Sequence, residues 1–352
     1  MLALQDYTGI IHFHSEYSFD GRVPLKDILS AARRTGIDFL MLTDHACLTA
    51  REKGMEGWHD EVLLIVGQEI TPRFNHYLAF GIHAPIAVDE GEDIPPQVYI
   101  DEVNRQGGIG FIAHPDHEGT ELFHVKHFPW TEWGVSGYAG IGIWDFMSDW
   151  QSSLNSYLLS VMSYLCPVFF LRGPRRVTLE RWDKLARQRK VVGIGELDNH
   201  DTPWRIGAFT LSVFPFSRAF RFVRTHVLSD EPLRRDGNRD ISVVLNALSR
   251  GRAYIAMEYF HNAKGFEFVI SDGGNAVTMG DTFILKNHAE LSIRVPVSAK
   301  IRIIRDGVLW WEGQTAHRKA SITDKGVYRV EVYLKSWGSF RPWIFSNPVY
   351  VR

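Results

Sequence analysis

Along roughly the first two thirds of the chain, apolar residues come in short unbroken runs separated by stretches of helical spacing. Gly9, Ile10 and Ile11 read as a buried strand. Residues 24–34 then place Leu25, Ile28, Leu29 and Ala32 on one helical face, with Pro24 at the start and Gly36 past the end. Residues 37–43, 63–67, 76–82, 109–113, 138–143 and 191–195 read as further strands. Helices are predicted around Val98 and Val103, over 150–165, around 179–185 and over 240–248. Such alternation implies a parallel sheet, and this many units predict closure into a barrel. From about residue 255 the period changes to two, as in Leu291, Ile293, Val295 and Val297 and again in Tyr328, Val330, Val332 and Leu334. Asp306-Gly307 between two apolar pairs is a hairpin signal. The pattern predicts an α/β barrel over residues 1–254 and a small all-β sandwich of immunoglobulin-like type over residues 255–352.

The residues at the ends of these apolar runs carry the chemistry. The first strand runs into His12-Phe13-His14 and then Asp20; residues 37–43 end in Asp44-His45, and 63–67 in Gln68-Glu69. His76 opens the next run, His114-Pro115 follows 109–113, and Glu196-Leu197-Asp198-Asn199-His200 follows 191–195. Alternate side chains on a strand share a face, so His12 and His14 point the same way. Two imidazoles together are costly to bury unless something binds them, and a metal ion is the commonest partner. Barrel strands converge at their C-terminal ends. His12, His14, Asp20, His45, Glu69, His76, His114, Asp198 and His200 are therefore candidate ligands of one centre. Buried structural histidines would explain one or two of these positions, not an ordered set. Mixed imidazole and carboxylate ligands suit zinc, manganese or iron, not calcium or magnesium.

Composition removes alternatives. At 352 residues and 45% hydrophobic content the chain can bury a large core. With 41 acidic against 39 basic residues, no global field favours nucleic acid or an anionic membrane. Cys47 and Cys166 are too few for a disulfide framework, which fits a reducing compartment. The first residues lack the basic and apolar segments of a signal peptide. The most apolar window, 158–171, is broken by Ser160, Ser163 and Pro167 and is too short for a bilayer. The expectation is a cytoplasmic protein with a small-molecule substrate and no nucleic-acid or membrane partner.

Taken together, His12-x-His14 with Ser18-Phe19-Asp20-Gly21, Thr43-Asp44-His45, Gly67-x-Glu69, His76, Ala113-His114-Pro115 and Asp198-x-His200 resemble the PHP (polymerase and histidinol phosphatase) family of metal-dependent hydrolases. The resemblance implies a distorted TIM-like (β/α)7 barrel holding two or three divalent metal ions, usually zinc, manganese or iron. It implies that His12, His14, Glu69 and Asp198 surround one ion, that Glu69 bridges to a second bound by His76 and His114, and that Asp20, His45 and His200 serve a third. Residues 341–351 resemble the module attached to carbamate and aryl-ester hydrolases of that family. Two departures stand out: Gly142 occupies a position often acidic in the family, and the last motif reads Gly195-Glu196-Leu197-Asp198-Asn199-His200, where the commoner form has Ser before Asp and Ala after it.

The implied reaction is attack of a metal-bridging hydroxide on a phosphoester, with Asp20, Glu69 and His200 shaping the hydroxide site. A carboxylic ester or carbamate is the alternative substrate, and a structural or partner-binding role without catalysis is a third reading. Asp44 is expected to orient a neighbouring ligand and Cys47 to be a small buried residue. His117, His124 and His127 read as loop histidines, with His117 a pocket contributor. Arg22 and Arg205 are candidate anion binders or solvated arginines. Trp130, Trp133, Trp144 and Trp150 are core residues or the lining of an apolar pocket mouth.

Overall fold

The computed structural model describes residues 3–89, 91–206 and 209–352, with side chains for all but 204–210 of these. The first part of the chain forms β1 (Gln5–Ile11), α1 (Leu25–Arg34), β2 (Phe39–Leu42), α2 (Thr49–Glu52), β3 (Gly57–His59), β4 (Val62–Ile70) and β5 (Tyr77–Phe80). Next come α3 (Pro96–Arg105), β6 (Ile109–Ile112), β7 (Gly140–Asp145), α4 (Phe146–Gln151), α5 (Tyr157–Leu165), α6 (Arg176–Gln188) and β8 (Val192–Glu196). A hairpin, β9 (Pro203–Ile206) and β10 (Phe209–Ser212), precedes α7 (Phe216–Ala219), β11 (Val223–Ser229), α8 (Gly237–Ser249) and β12 (Ala253–Met257). The chain ends in β13 (Glu267–Ser271), β14 (Ala276–Thr278), β15 (Thr282–Phe283), β16 (Ala289–Arg305), β17 (Val308–Ile322), β18 (Gly326–Ser336), β19 (Ser339–Ser346) and β20 (Val349–Val351).

The result is a mixed α/β molecule built on one large sheet, and it departs from the expected parallel, closed barrel. β1, β2 and β4 are parallel, as are β6, β7 and β8. Between these groups β5 runs antiparallel to both β4 and β6. The link of residues 71–76 can reverse the chain but is too short for a parallel crossover. The sheet also stays open between β8 and β1. β11 occupies that edge of β1 by antiparallel pairing over residues 5–9. Only residues 197–199 dock beyond it: Leu197 N–H donates to the Ile11 carbonyl (3.0 Å), Asp198 N–H to that of His12 (2.8 Å), and His14 N–H to that of Asn199 (3.1 Å).

Side chains satisfy the bare edge of β8. The Asn347 carboxamide accepts from Gly193 N–H (2.7 Å) and donates to the Gly193 carbonyl (2.9 Å). The Thr225 hydroxyl accepts from Gly195 N–H (2.9 Å) and donates to the Gly195 carbonyl (3.0 Å). Buried backbone groups thus find partners without a neighbouring strand.

The helix predicted over 150–165 is two helices. The run Ser152, Ser153, Leu154, Asn155 and Ser156 competes with helical hydrogen bonding, and Ser156 caps α5 by accepting from Leu159 N–H (3.3 Å). In the C-terminal part, Arg305 pairs with Val308 across Asp306-Gly307, both at positive φ, as that dipeptide predicts. Separation into barrel and sandwich is not visible in the hydrogen bonding, because β19 pairs with β12. A buried ion pair, Arg329 with Asp183 (2.6 and 2.7 Å), ties β18 to α6. No helix among the described residues is long and apolar enough to cross a membrane.

At the end of β1 remote from the candidate ligands, buried His226 meets Asp6 (2.8 Å) and Glu258 (3.2 Å), and its ring stacks on Tyr254 at 4.4 Å. Burial disfavours charge on each, but the two carboxylates raise the imidazole pKa and the imidazole lowers theirs. A raised histidine stabilises the fold below its ordinary 6.5 and loses that contribution as pH climbs through the higher folded value; the lowered carboxylates contribute above their ordinary 3.8 and 4.5 and lose it as pH falls. His226→Gln should therefore cost about 3 kcal/mol near pH 5.5, and less at pH 9. Urea melts of parent and variant at the two values check this; an equal deficit at both would mean that His226 acts through packing alone.

Candidate metal centre

The nine candidate ligands come together at one end of the sheet, and the backbone bends sharply to bring them there. His12, His114 and Asp198 all have positive φ (69°, 24° and 50°), a region that side chains with a Cβ rarely occupy. Such strain persists only where the surroundings over-determine it. The loop after His14 is fixed by Asp44, whose carboxylate accepts from Ser15 N–H (2.6 Å) and from the Ser15 hydroxyl (2.7 Å). Asp44 thus holds the chain that carries His14. The loop then returns so tightly that a Cβ on Gly21 would lie 1.9 Å from the Ser15 carbonyl oxygen. Asp20 is swung into place beside it and accepts from the Ser18 hydroxyl (2.7 Å).

Glu69, 2% exposed, stands at the middle. Its Oε2 faces Nε2 of His12 (3.1 Å), Nε2 of His14 (3.4 Å) and Nδ1 of His45 (3.5 Å). Its Oε1 faces Nδ1 of His76 (3.0 Å) and Nε2 of His114 (3.2 Å). Asp198 Oδ1 approaches His12 and His14 at 3.3 and 3.5 Å. On the open side Asp20 Oδ2 contacts Nε2 of His45 (3.1 Å) and of His200 (3.0 Å). Three sets of donor atoms each lie within 4.8 Å of one another: His12, His14, Glu69 and Asp198; Glu69, His76 and His114; and His14, Asp20, His45 and His200. His14 belongs to two sets, and its ring stacks between His45 (4.4 Å) and His200 (4.1 Å).

These residues fit divalent cations. Both ring nitrogens of buried His14 lack a hydrogen-bond partner, and so do Nδ1 of His12, His45 and His114. Burial opposes charge on Glu69, yet the His12 charge and hydrogen bonds from His114 and His12 hold it well below the usual carboxylate range. His114, against its own burial, is raised to about 9 by Glu69 and Asp198. His14 is lowered by burial and by the neighbouring His200 and His45 charges, so protons cannot satisfy the whole cluster at once. The carboxylate field that holds protons on His12 and His114 would favour a cation in their place.

One further residue belongs to the site, a carboxylate at a strand end that was not among the nine candidates. Glu196 is fully buried; its Oε2 accepts from His114 N–H (2.8 Å), and its Oε1 stands 3.7 Å from Nδ1 of His12. It lies across from Gly142, where a Cβ would be 2.0 Å from Glu196 Oε2. Gly142, a departure noted in the sequence, and Glu196 are one arrangement: the acidic group comes from β8 and fills the space that glycine leaves on β7. Asp145 beside it is raised to about 7 by burial and the Asp198 and Glu196 charges.

The remaining candidates separate clearly. His117 is buried, accepts from Phe128 N–H through Nδ1 (3.2 Å) and faces Gln151 Oε1 through Nε2 (3.0 Å); burial and the His114 charge lower it to about 4. His124 and His127 are exposed. The Cys47 thiol points at the Tyr17 carbonyl, and Cys166 is exposed. Arg22 is exposed on the loop after Asp20, and the Arg205 side chain lies outside the described residues. Trp144 donates to Asp149 (2.9 Å), Trp130 packs on Trp133, and Trp150 lines a cavity beside the cluster.

Residues 11–94 match the family model of the PHP domain. No curated protein matches the chain. Among solved structures with a similar chain path is a two-domain Bacteroides vulgatus protein described as containing a predicted PHP-like metal-dependent phosphoesterase; identity is 16%, coverage 97% of this chain and 95% of that one, and TM-score 0.46. A Bifidobacterium adolescentis protein described as a candidate metal-dependent phosphoesterase shares 16% identity over 58% of this chain and 92% of its own, with TM-score 0.34. A Chromobacterium violaceum amidohydrolase with bound sulfate shares 14% over 60% and 93%, with TM-score 0.31. Likeness at this level decides nothing about substrate. The domain match and the ligand cluster support a metal-dependent hydrolase.

Because Glu196 braces two ligands without facing Glu69, Glu196→Gln should weaken metal affinity about 10- to 100-fold while the fold persists. Gly142→Ala should do the same by displacing Glu196. Competition with a chromophoric chelator measures both; parent affinity in both variants would show that Glu196 is only a core residue.

Proposed function

We propose that the chain is a hydrolase of phosphoesters dependent on two or three divalent ions, with residues 1–254 forming the barrel-like catalytic unit and 255–352 a β-sandwich that supports it. The observation that carries this reading is the two-sided Glu69 carboxylate, each oxygen facing a different group of imidazoles. A carboxylate so placed is suited to link two cations, with His12, His14 and Asp198 holding one, and His76 and His114 the other. Asp20, His45 and His200, with His14 at their back, would hold a third at the open side. Bound ions of the zinc, manganese or iron type would supply Lewis acidity and a water of lowered pKa.

The chain's own groups do the positioning. Asp198 and Glu69 neutralise the imidazole side, and Asp20, 32% exposed, is the carboxylate that an entering substrate meets first. His117 presents a neutral ring, its tautomer set by the Phe128 N–H at Nδ1, so its proton sits on Nε2 towards Gln151. A carboxylic ester or carbamate is the second reading, favoured by the uncharged ring of Phe128 against His76 (4.7 Å) and His117 (5.7 Å).

Elemental analysis after metal-supplemented expression should give two to three equivalents, and less than one would end the reading. Glu69→Gln should abolish turnover and lower metal content while circular dichroism is unchanged, since linking two cations needs both carboxylate oxygens charged.

Arg22 discriminates the two substrates. A phosphate keeps negative charge that a guanidinium can bind through two hydrogen bonds, whereas a neutral ester gains little. Arg22→Ala should lower kcat/KM for an aryl phosphate about 30-fold or more, and for an aryl ester by under about tenfold. No loss on phosphate, with the ester the better substrate of the parent, would select the ester reading.

A further inference from the structure

We infer that an apolar cavity beside the cluster takes an alkyl chain, so that the ester cleaved is that of a long-chain amphiphile; the head-group half of this rests on the phosphoester reading above. The cavity, about 440 Å3, lies between α4, α5 and the β9–β10 hairpin and is walled by Met147, Trp150, Leu154, Val161, Tyr164 and Leu165. That is about three times the ~150 Å3 cavity that accepts a single benzene ring, and within the range of small-molecule pockets.

Two features place it next to the candidate ligands. Gln151, in its wall, faces His117 at 3.0 Å, and the His117 ring lies 5.4 Å from that of His114. Thr202, also in the wall, follows His200 by two residues. Gln151 and Thr202 are therefore polar wall positions on the cluster side. The apolar surface continues outward instead: Val161 is 51% and Leu165 64% exposed, and Tyr157, Leu158 and Met162 on the same uncharged helix are exposed as well.

A protein partner would cover the face of α5 but could not fill a recess of this size, and a compact small molecule would leave the helix bare. A flexible chain with its ester at the cluster satisfies both, running through the cavity and out along α5.

The test measures binding of ethyl, hexyl and decyl phosphate, each below its micelle concentration, to the full chain in metal-loaded and chelated forms, by calorimetry and tryptophan fluorescence. Affinity should rise about three- to fourfold per methylene until the cavity is full. Val161→Asp and Leu165→Asp, at exposed positions that the fold tolerates, should lower decyl phosphate affinity about tenfold or more with metal content retained. Equal affinity along the series, or an unchanged series in both variants, overturns the inference. A rising series without turnover of any phosphate upholds the chain site and overturns the phosphoester reading instead. Offering decyl phosphate in phosphatidylcholine vesicles separates the sources: stronger binding there than to monomer assigns the chain to a lipid surface, and binding to monomer alone assigns it to a free amphiphile. Either upholds the chain site.

Discussion

A carboxylate that is 2% exposed, with five imidazoles around its two oxygens, sets the terms for the rest of this structure. An uncompensated charge at that depth would be prohibitive, and so would the unpartnered ring nitrogens around it. Glu69 and the histidines are therefore mutually necessary, and they come from the ends of five strands, His12 and His14 sharing that of β1. That requirement explains why the chain tolerates positive φ at His12, His114 and Asp198 at once. It also explains the rigidity just outside the ligands, where Asp44 pins Ser15 and Glu196 pins His114.

Holding those strand ends level depends on parts of the chain that contribute no ligand. β8 carries Glu196 and leads into Asp198 and His200, yet one of its edges lacks a strand neighbour. Asn347 and Thr225 side chains take over the hydrogen bonds that a strand would have made. The C-terminal strands therefore reach the site through the backbone of β8 as well as through the pairing of β19 with β12 and the buried Arg329–Asp183 pair. The His226 network does a similar service for β1 and β11 at the opposite end of the sheet.

The cluster's surroundings are unequal. Towards the β1 loop the site opens through polar groups, Asp20 and His200, and the exposed Arg22 lies on that loop. Towards α4 and α5, beyond His117 and Gln151, lies an apolar recess. The surroundings are thus polar at the cluster and apolar beside it.

By itself the sequence determined which residues are candidate ligands, because residue type at a strand end is a local signal: an apolar run followed by His-x-His, Asp-His, Gln-Glu or Asp-x-His is visible without knowing what lies opposite. It determined the Asp306-Gly307 hairpin for the same reason, since that turn's backbone demands are met by two adjacent residues. It did not disclose β11, where Arg224, Thr225 and His226 interrupt the apolar pattern and the partner of His226, Asp6, is 220 positions away. Nor did it show that Gly142 and Glu196 are one device, since they meet only across two paired strands. The antiparallel turn of β5 and the open edge of β8 were likewise decided in three dimensions, by the length of a link and by the pairing of β11 with the edge of β1. Periodicity reports which face of an element is buried; the identity of the neighbour that buries it is a long-range property, and here that neighbour determines how the metal centre is braced.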